Sequence, residues 1–137
     1  MIQNKIVAHY QNGDLFKGVS NDFMPDKDYF RVILRDAKPG SPPVKLQLTG
    51  LKALFFVKKY EGNPSYNEKK DFDPHRLLTG RKIKALFKDG EIMVGTTSGY
   101  KPNRRGFFLV PADENSNNNL CFIITSATRE ISFIDSP

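Results

Sequence analysis

The chain holds few side chains placed to do chemistry, and the densest set lies in YKPNRRGFF, Tyr100–Phe108. Lys101, Arg104 and Arg105 flank Pro102, with the rings of Tyr100, Phe107 and Phe108 close by. Cationic side chains bind phosphates, and an exposed ring stacks on a base. Tyr100, Lys101, Arg104 and Arg105 are therefore the candidate ligand-binding residues. The competing reading, which the sequence favours, is a solvated loop whose aromatics belong to the flanking strands. The corresponding stretch FMPDKDYF, Phe23–Phe30, is mixed in charge, so a polyanion gripped by both stretches is not expected.

Catalytic chemistry finds less support. A nucleophile needs an adjacent base, and Cys121 sits in an apolar run, LCFIIT, that reads as a strand. His9 lies on the strand face opposite Ile6 and Ala8, while His75 falls in a connector. Neither has a Cys or His at zinc-ligand spacing. Phosphate-cradling glycine motifs are missing. Arg76 and Arg81 are one residue too far apart for the R-x-x-x-R arm of cyclic-dinucleotide barrels. KDFD and DENSNN do not match a calcium loop and read as solvated loops. No catalytic, cofactor or metal residue is assigned, and no enzyme activity is expected.

The elements that must position the loop come from a repeat. Setting Lys5 against Lys82 brings Ile6 to Ile83, Ala8 to Ala85, Gly13 to Gly90, Gly18 to Gly95, Phe23 to Tyr100 and Phe30 to Phe107. The offset still holds where Phe56 meets Phe133, so the chain is a duplicated unit of some fifty residues. KIVAHY and KIKALF alternate as strands. Asn12-Gly13 and Asp89-Gly90 then predict type I′ hairpins. Gly18 and Gly95, mid-strand, predict a sharp bend. YFRVIL and GFFLVPA, VKLQL and LCFIIT, KALFFV and REISFI complete two five-stranded meanders. DPHRLL predicts one helical turn capped by Asp73. The expected organisation is a first repeat at 1–58, a connector at 59–81 and a second repeat at 82–137.

Net charge is +6 over 137 residues. Nine basic and five acidic side chains fall in 1–58, five and four in 59–81, seven and six in 82–137. Such diffuse charge fits a mildly basic solvated surface better than a nucleic-acid face. The start lacks a signal-peptide pattern and no run is long enough for a membrane span. With a single cysteine, the expectation is a cytoplasmic chain without membrane contact.

The spacing Gly13, Gly18, Phe23, then LTGLKALFFV, with Gly90, Gly95, Tyr100, then TSATREISFI, resembles the Sm-like (SH3-type) small barrels. The resemblance implies an all-β fold of two tandem pseudo-symmetric five-stranded barrels. It implies ring-like assembly through sheet edges, or pairing of the two copies with each other. It does not carry over an RNA site. The Asp and Asn expected after the aromatic are missing from MPDKDYF and KPNRRGFF, and the basic residue before the closing Gly is replaced at Thr49 and Ser126. FFVKKYEGNPSYNEKKDF, Phe55–Phe72, further resembles an uncharacterised bacterial domain family. The expected function is a non-catalytic binding or regulatory module that contacts a protein partner or itself through sheet edges. The alternative is a weak RNA or single-stranded nucleic-acid binder using basic loops.

Overall fold

The computed structural model describes residues 4–76 and 78–134. It is all-β, with ten strands: β1 (Asn4–Tyr10), β2 (Leu15–Ser20), β3 (Tyr29–Leu34), β4 (Val44–Gln47), β5 (Leu51–Val57), β6 (Arg81–Phe87), β7 (Ile92–Thr97), β8 (Gly106–Pro111), β9 (Asn118–Ile124) and β10 (Thr128–Phe133). A 3-10 turn, Thr125–Ala127, precedes β10.

The strands form one antiparallel sheet in the order β10-β6-β7-β8-β9-β5-β1-β2-β3-β4. Each repeat therefore has its fifth strand returned beside its first, and is not a plain meander. Nor does either repeat close into the expected barrel. Closure would need β5 to pair with β4 and β10 with β9. The free edge of β5 is instead taken by β9 of the other repeat, with Leu54 opposite Phe122 and Phe56 opposite Leu120. The pairing that would have sealed each barrel is used once, between the copies, and β4 and β10 are left as edges.

Two local expectations also change. Neither hairpin is type I′, because within each turn only the glycine, Gly13 (98°) or Gly90 (94°), has positive φ, and no non-glycine residue described does. Gly13 N–H donates to Tyr10 C=O at 3.0 Å and Tyr10 N–H to Asp14 C=O at 2.9 Å; Gly90, Phe87 and Glu91 repeat the pattern. This is a type I turn followed by a left-handed glycine bulge. Asn12 and Asp89 stay right-handed because their side chains accept the N–H groups of Asp14 and Glu91. In DPHRLL, Asp73 closes a turn, accepting the His75 N–H at 2.9 Å on its side chain. No helix follows among the described residues; Leu77 lies outside them.

Gly18 and Gly95 are needed for close approach. A Cβ on Gly18 would fall 2.2 Å from the Ile33 carbonyl oxygen, and one on Gly95 2.0 Å from that of Val110. At these points β2 meets β3, and β7 meets β8, through only two residue pairs each. Ile6, Ala8, Phe30, Val32 and Leu54 of the first repeat and Ile83, Ala85, Phe87, Leu109 and Ile123 of the second are fully buried in one core. Each repeat also carries the same edge-to-face aromatic set: Phe23 on Phe30 and Phe56, Tyr100 on Phe107 and Phe133. No described helix is long and apolar enough to cross a membrane.

Candidate functional site

Between β2 and β3 the chain makes a loop around Pro25, and between β7 and β8 a loop around Pro102. Because β9 docks on β5, these loops of different repeats are brought together. Arg105 ties them: one guanidinium nitrogen donates to the Lys27 carbonyl at 2.7 Å, another lies 2.8 Å from the Asp28 carboxylate. Both side chains are substantially solvated, so the pair positions the loops and adds little stability.

Beside this tie opens a cleft of about 550 Å³. Pro25 and Asp26 contribute from the first repeat; Ser98, Gly99, Arg104 and Arg105 come from the second. Phe107 and Phe122, both buried, form its base, and Phe108, 36% exposed, presents its ring. Phe108 is held edge-on by Phe122 at 5.0 Å and by Phe23 at 6.3 Å between ring centroids. Phe23 thus reaches out of its own repeat, touching Phe122 at 5.1 Å.

The four candidate residues are split. Arg104 and Arg105 line the cleft. Arg104 is exposed, and its guanidinium has no hydrogen-bond or ion-pair partner among the described residues. Tyr100 is half-buried against Phe107 and Phe133 and serves packing. Lys101 is exposed; its carbonyl accepts the Arg104 N–H and shapes the turn. Sequence reasoning missed Pro25, Asp26 and Phe122. Pro25 carried a signal, its match with Pro102 in the repeat.

A second charged cluster lies where β5 meets the β6–β7 hairpin. Lys52 Nζ is 2.6 Å from the Asp89 carboxylate, also hydrogen-bonds Glu91, and sits 4.6 Å from the Phe87 ring centroid. Burial pulls the Lys52 pKa down, but the two carboxylates outweigh it and the net shift is upward. Asp89 is lowered, first by its hydrogen bond from Lys52. His9 stands nearby and is lowered by burial and then by the Lys52 charge. It shares a shallow depression with Glu91 but has no hydrogen bond to it; both carboxylates are engaged by Lys52. Cys121 is fully buried opposite Phe55, and burial pushes its thiol well up.

The connector is strapped to the β8–β9 loop. Asp113 accepts the Tyr66 hydroxyl and the Lys69 N–H, Glu68 accepts the Ser116 hydroxyl, and Arg76 donates to the Ala112 carbonyl at 2.8 Å. Burial raises the Asp113 pKa, but the donated hydrogen bonds outweigh it and the group lies below its ordinary value. Tyr66 and Glu68 of the YEGNPSYNEKKDF stretch therefore have a structural task.

The chain belongs to a family of unknown function, DUF6982, whose model matches residues 2–135. No curated protein and no solved structure matches it. The likeness to Sm-like and SH3-type barrels thus rests on residue spacing in the sequence alone and gives no family assignment.

Proposed function

We propose that the protein is a non-catalytic binding or regulatory module that takes an extended strand of a partner protein onto the edge of β10. One observation carries this reading. In the first repeat Leu54, Phe56 and Val57 are covered by β9. Their counterparts Ile131, Phe133 and Ile134 lie on an uncovered edge, with Ile134 37% exposed. Ile134 N–H donates inward to Lys82 C=O. By alternation the N–H groups of Ile131 and Phe133 face outward, free to pair.

A foreign strand fits this edge better than a second copy. Repeating the β5–β9 register between chains would set Glu130 against Leu46 and Phe133 against Pro43. An acidic side chain at an apolar pairing and a proline without an N–H both oppose self-pairing. A partner strand would instead carry a basic residue opposite Glu130.

The test uses a soluble peptide built on the β9 sequence with lysine in place of Ile123 and serine in place of Cys121. Backbone amide shifts are followed by NMR, and mass by light scattering. The reading expects a 15.6 kDa monomer and saturable shifts confined to β10 and its neighbours. Ile131→Pro, which removes one outward N–H, should abolish them. Shifts absent at millimolar peptide, or unchanged in Ile131→Pro, would overturn it; concentration-dependent dimers would point to self-pairing instead.

A further inference from the structure

The cleft between the Pro25 and Pro102 loops is separate from the β10 edge and has its own chemistry. From it we infer a small-molecule site for a planar aromatic ring bearing one acidic group. Its volume, about 550 Å³, lies within the roughly 300–1,000 Å³ common for ligand sites.

Three features define the occupant. The exposed Phe108 ring is fixed by Phe122 and Phe23, so a flat ring can stack on it without ordering a mobile side chain. Arg104 is the unpartnered cation of the lining, whereas Arg105 is committed to Lys27 and Asp28. The site thus offers one planar, donor-only fork for one carboxylate or phosphate. Asp26, also lining the cleft, is acceptor-only and selects a ring whose edge carries an N–H. Its charge, with that of Asp28 nearby, disfavours a polyphosphate. Apolar rings lacking an acid would leave Arg104 unused, and inorganic anions would leave Phe108 exposed. Nucleoside monophosphates and indole carboxylates both meet the description.

The experiment is isothermal titration of the full chain with two probe series. One is AMP, GMP and UMP, with adenosine and inorganic phosphate as half-ligands. The other is indole-3-acetate, with indole and acetate as half-ligands. At least one intact probe should bind saturably, roughly tenfold or more tighter than either of its halves. Arg104→Gln and Phe108→Leu should each weaken it by about tenfold, while Arg129→Ala, on β10, leaves it unchanged. Phe108→Leu keeps an apolar side chain, and thermal melts of each variant separate lost binding from lost folding. Preference for one series identifies the source of the ring and acid. No saturable binding up to millimolar concentration in either series would overturn the inference, as would affinity indifferent to both cleft variants in folded protein.

Discussion

Lys52 gives the sharpest test of how the two repeats hold together. Its side chain is 5% exposed, while Asp89 and Glu91, from the other repeat, are 51% and 47% exposed. Removing one partner of a buried pair costs most when the buried charge is the one left behind. Asp89→Asn with Glu91→Gln leaves the ammonium over the Phe87 ring without a counter-charge, at a cost of about 3 kcal/mol. Lys52→Met fills the same space with an apolar chain and frees two carboxylates that water already reaches; its cost is about 1 kcal/mol or less. For a chain of this size the 2 kcal/mol difference is roughly 7 °C in Tm. The pH dependence has a defined sign. Asp89, held below its ordinary 3.8, contributes stability that is complete above that value and lost as pH falls through its folded pKa. Lys52, held above its ordinary 10.5, contributes below that value and loses it as pH rises through its folded pKa. Urea unfolding followed by circular dichroism should therefore show wild type losing its advantage over Lys52→Met as pH falls below 3.8 and dropping beneath it once the ammonium is left unpaired. The same advantage should shrink as pH rises past 10.5 and the ammonium is neutralised. The reasoning fails if Lys52→Met costs as much as the acidic double variant, or if the gap between wild type and Lys52→Met does not change with pH.

Three further outcomes follow from the geometry. Gly95→Ala, which drives a Cβ into the Val110 carbonyl, should cost about 3 kcal/mol or more, against about 1 kcal/mol for Gly90→Ala, where φ is positive but space is open; chemical denaturation of both checks the ranking. Asp113→Ala removes the acceptor for Tyr66 and Lys69 and should make residues 60–76 cleave at least several-fold faster in limited proteolysis, with β-sheet circular dichroism unchanged. Single-stranded RNA should show a log–log salt slope no steeper than about −2 in fluorescence anisotropy, since Arg104 and the exposed Lys101 of the same loop neutralise about two phosphates; a steeper slope would favour a broad basic nucleic-acid face.

The repeat was legible because its marks are local. Glycines at 13 and 90 and at 18 and 95 keep step with alternating apolar residues; the first two answer to the turns they sit in, the other two to the next strand of their own repeat. The turn type was misjudged for a local reason too: the Asn12 and Asp89 side chains satisfy backbone N–H groups and hold a right-handed conformation that the Asn-Gly and Asp-Gly pairs do not announce. The cleft could be read only by half. Arg104, Arg105 and Phe108 are neighbours in sequence, but Asp26 joins them through the β5–β9 junction, a pairing across about half the chain.

That junction nevertheless left a trace in composition. β5 reads LKALFFV and is buried at six of seven positions; its counterpart β10 reads TREISF and is buried at none. A strand apolar on both faces is one covered on both faces, whereas Arg129 and Glu130 mark a strand that keeps solvent beside it. The one charge in β5, Lys52, is the one that the second repeat supplies with two carboxylates. Its counterpart Arg129 reaches only the Lys88 carbonyl of its own repeat. The two copies have thus diverged where their surroundings differ. With Glu130 in place of the alanine at 53, and Pro43 in place of the leucine at 120, the joint made once inside the chain is disfavoured between chains. The β10 edge is left to a strand of different sequence.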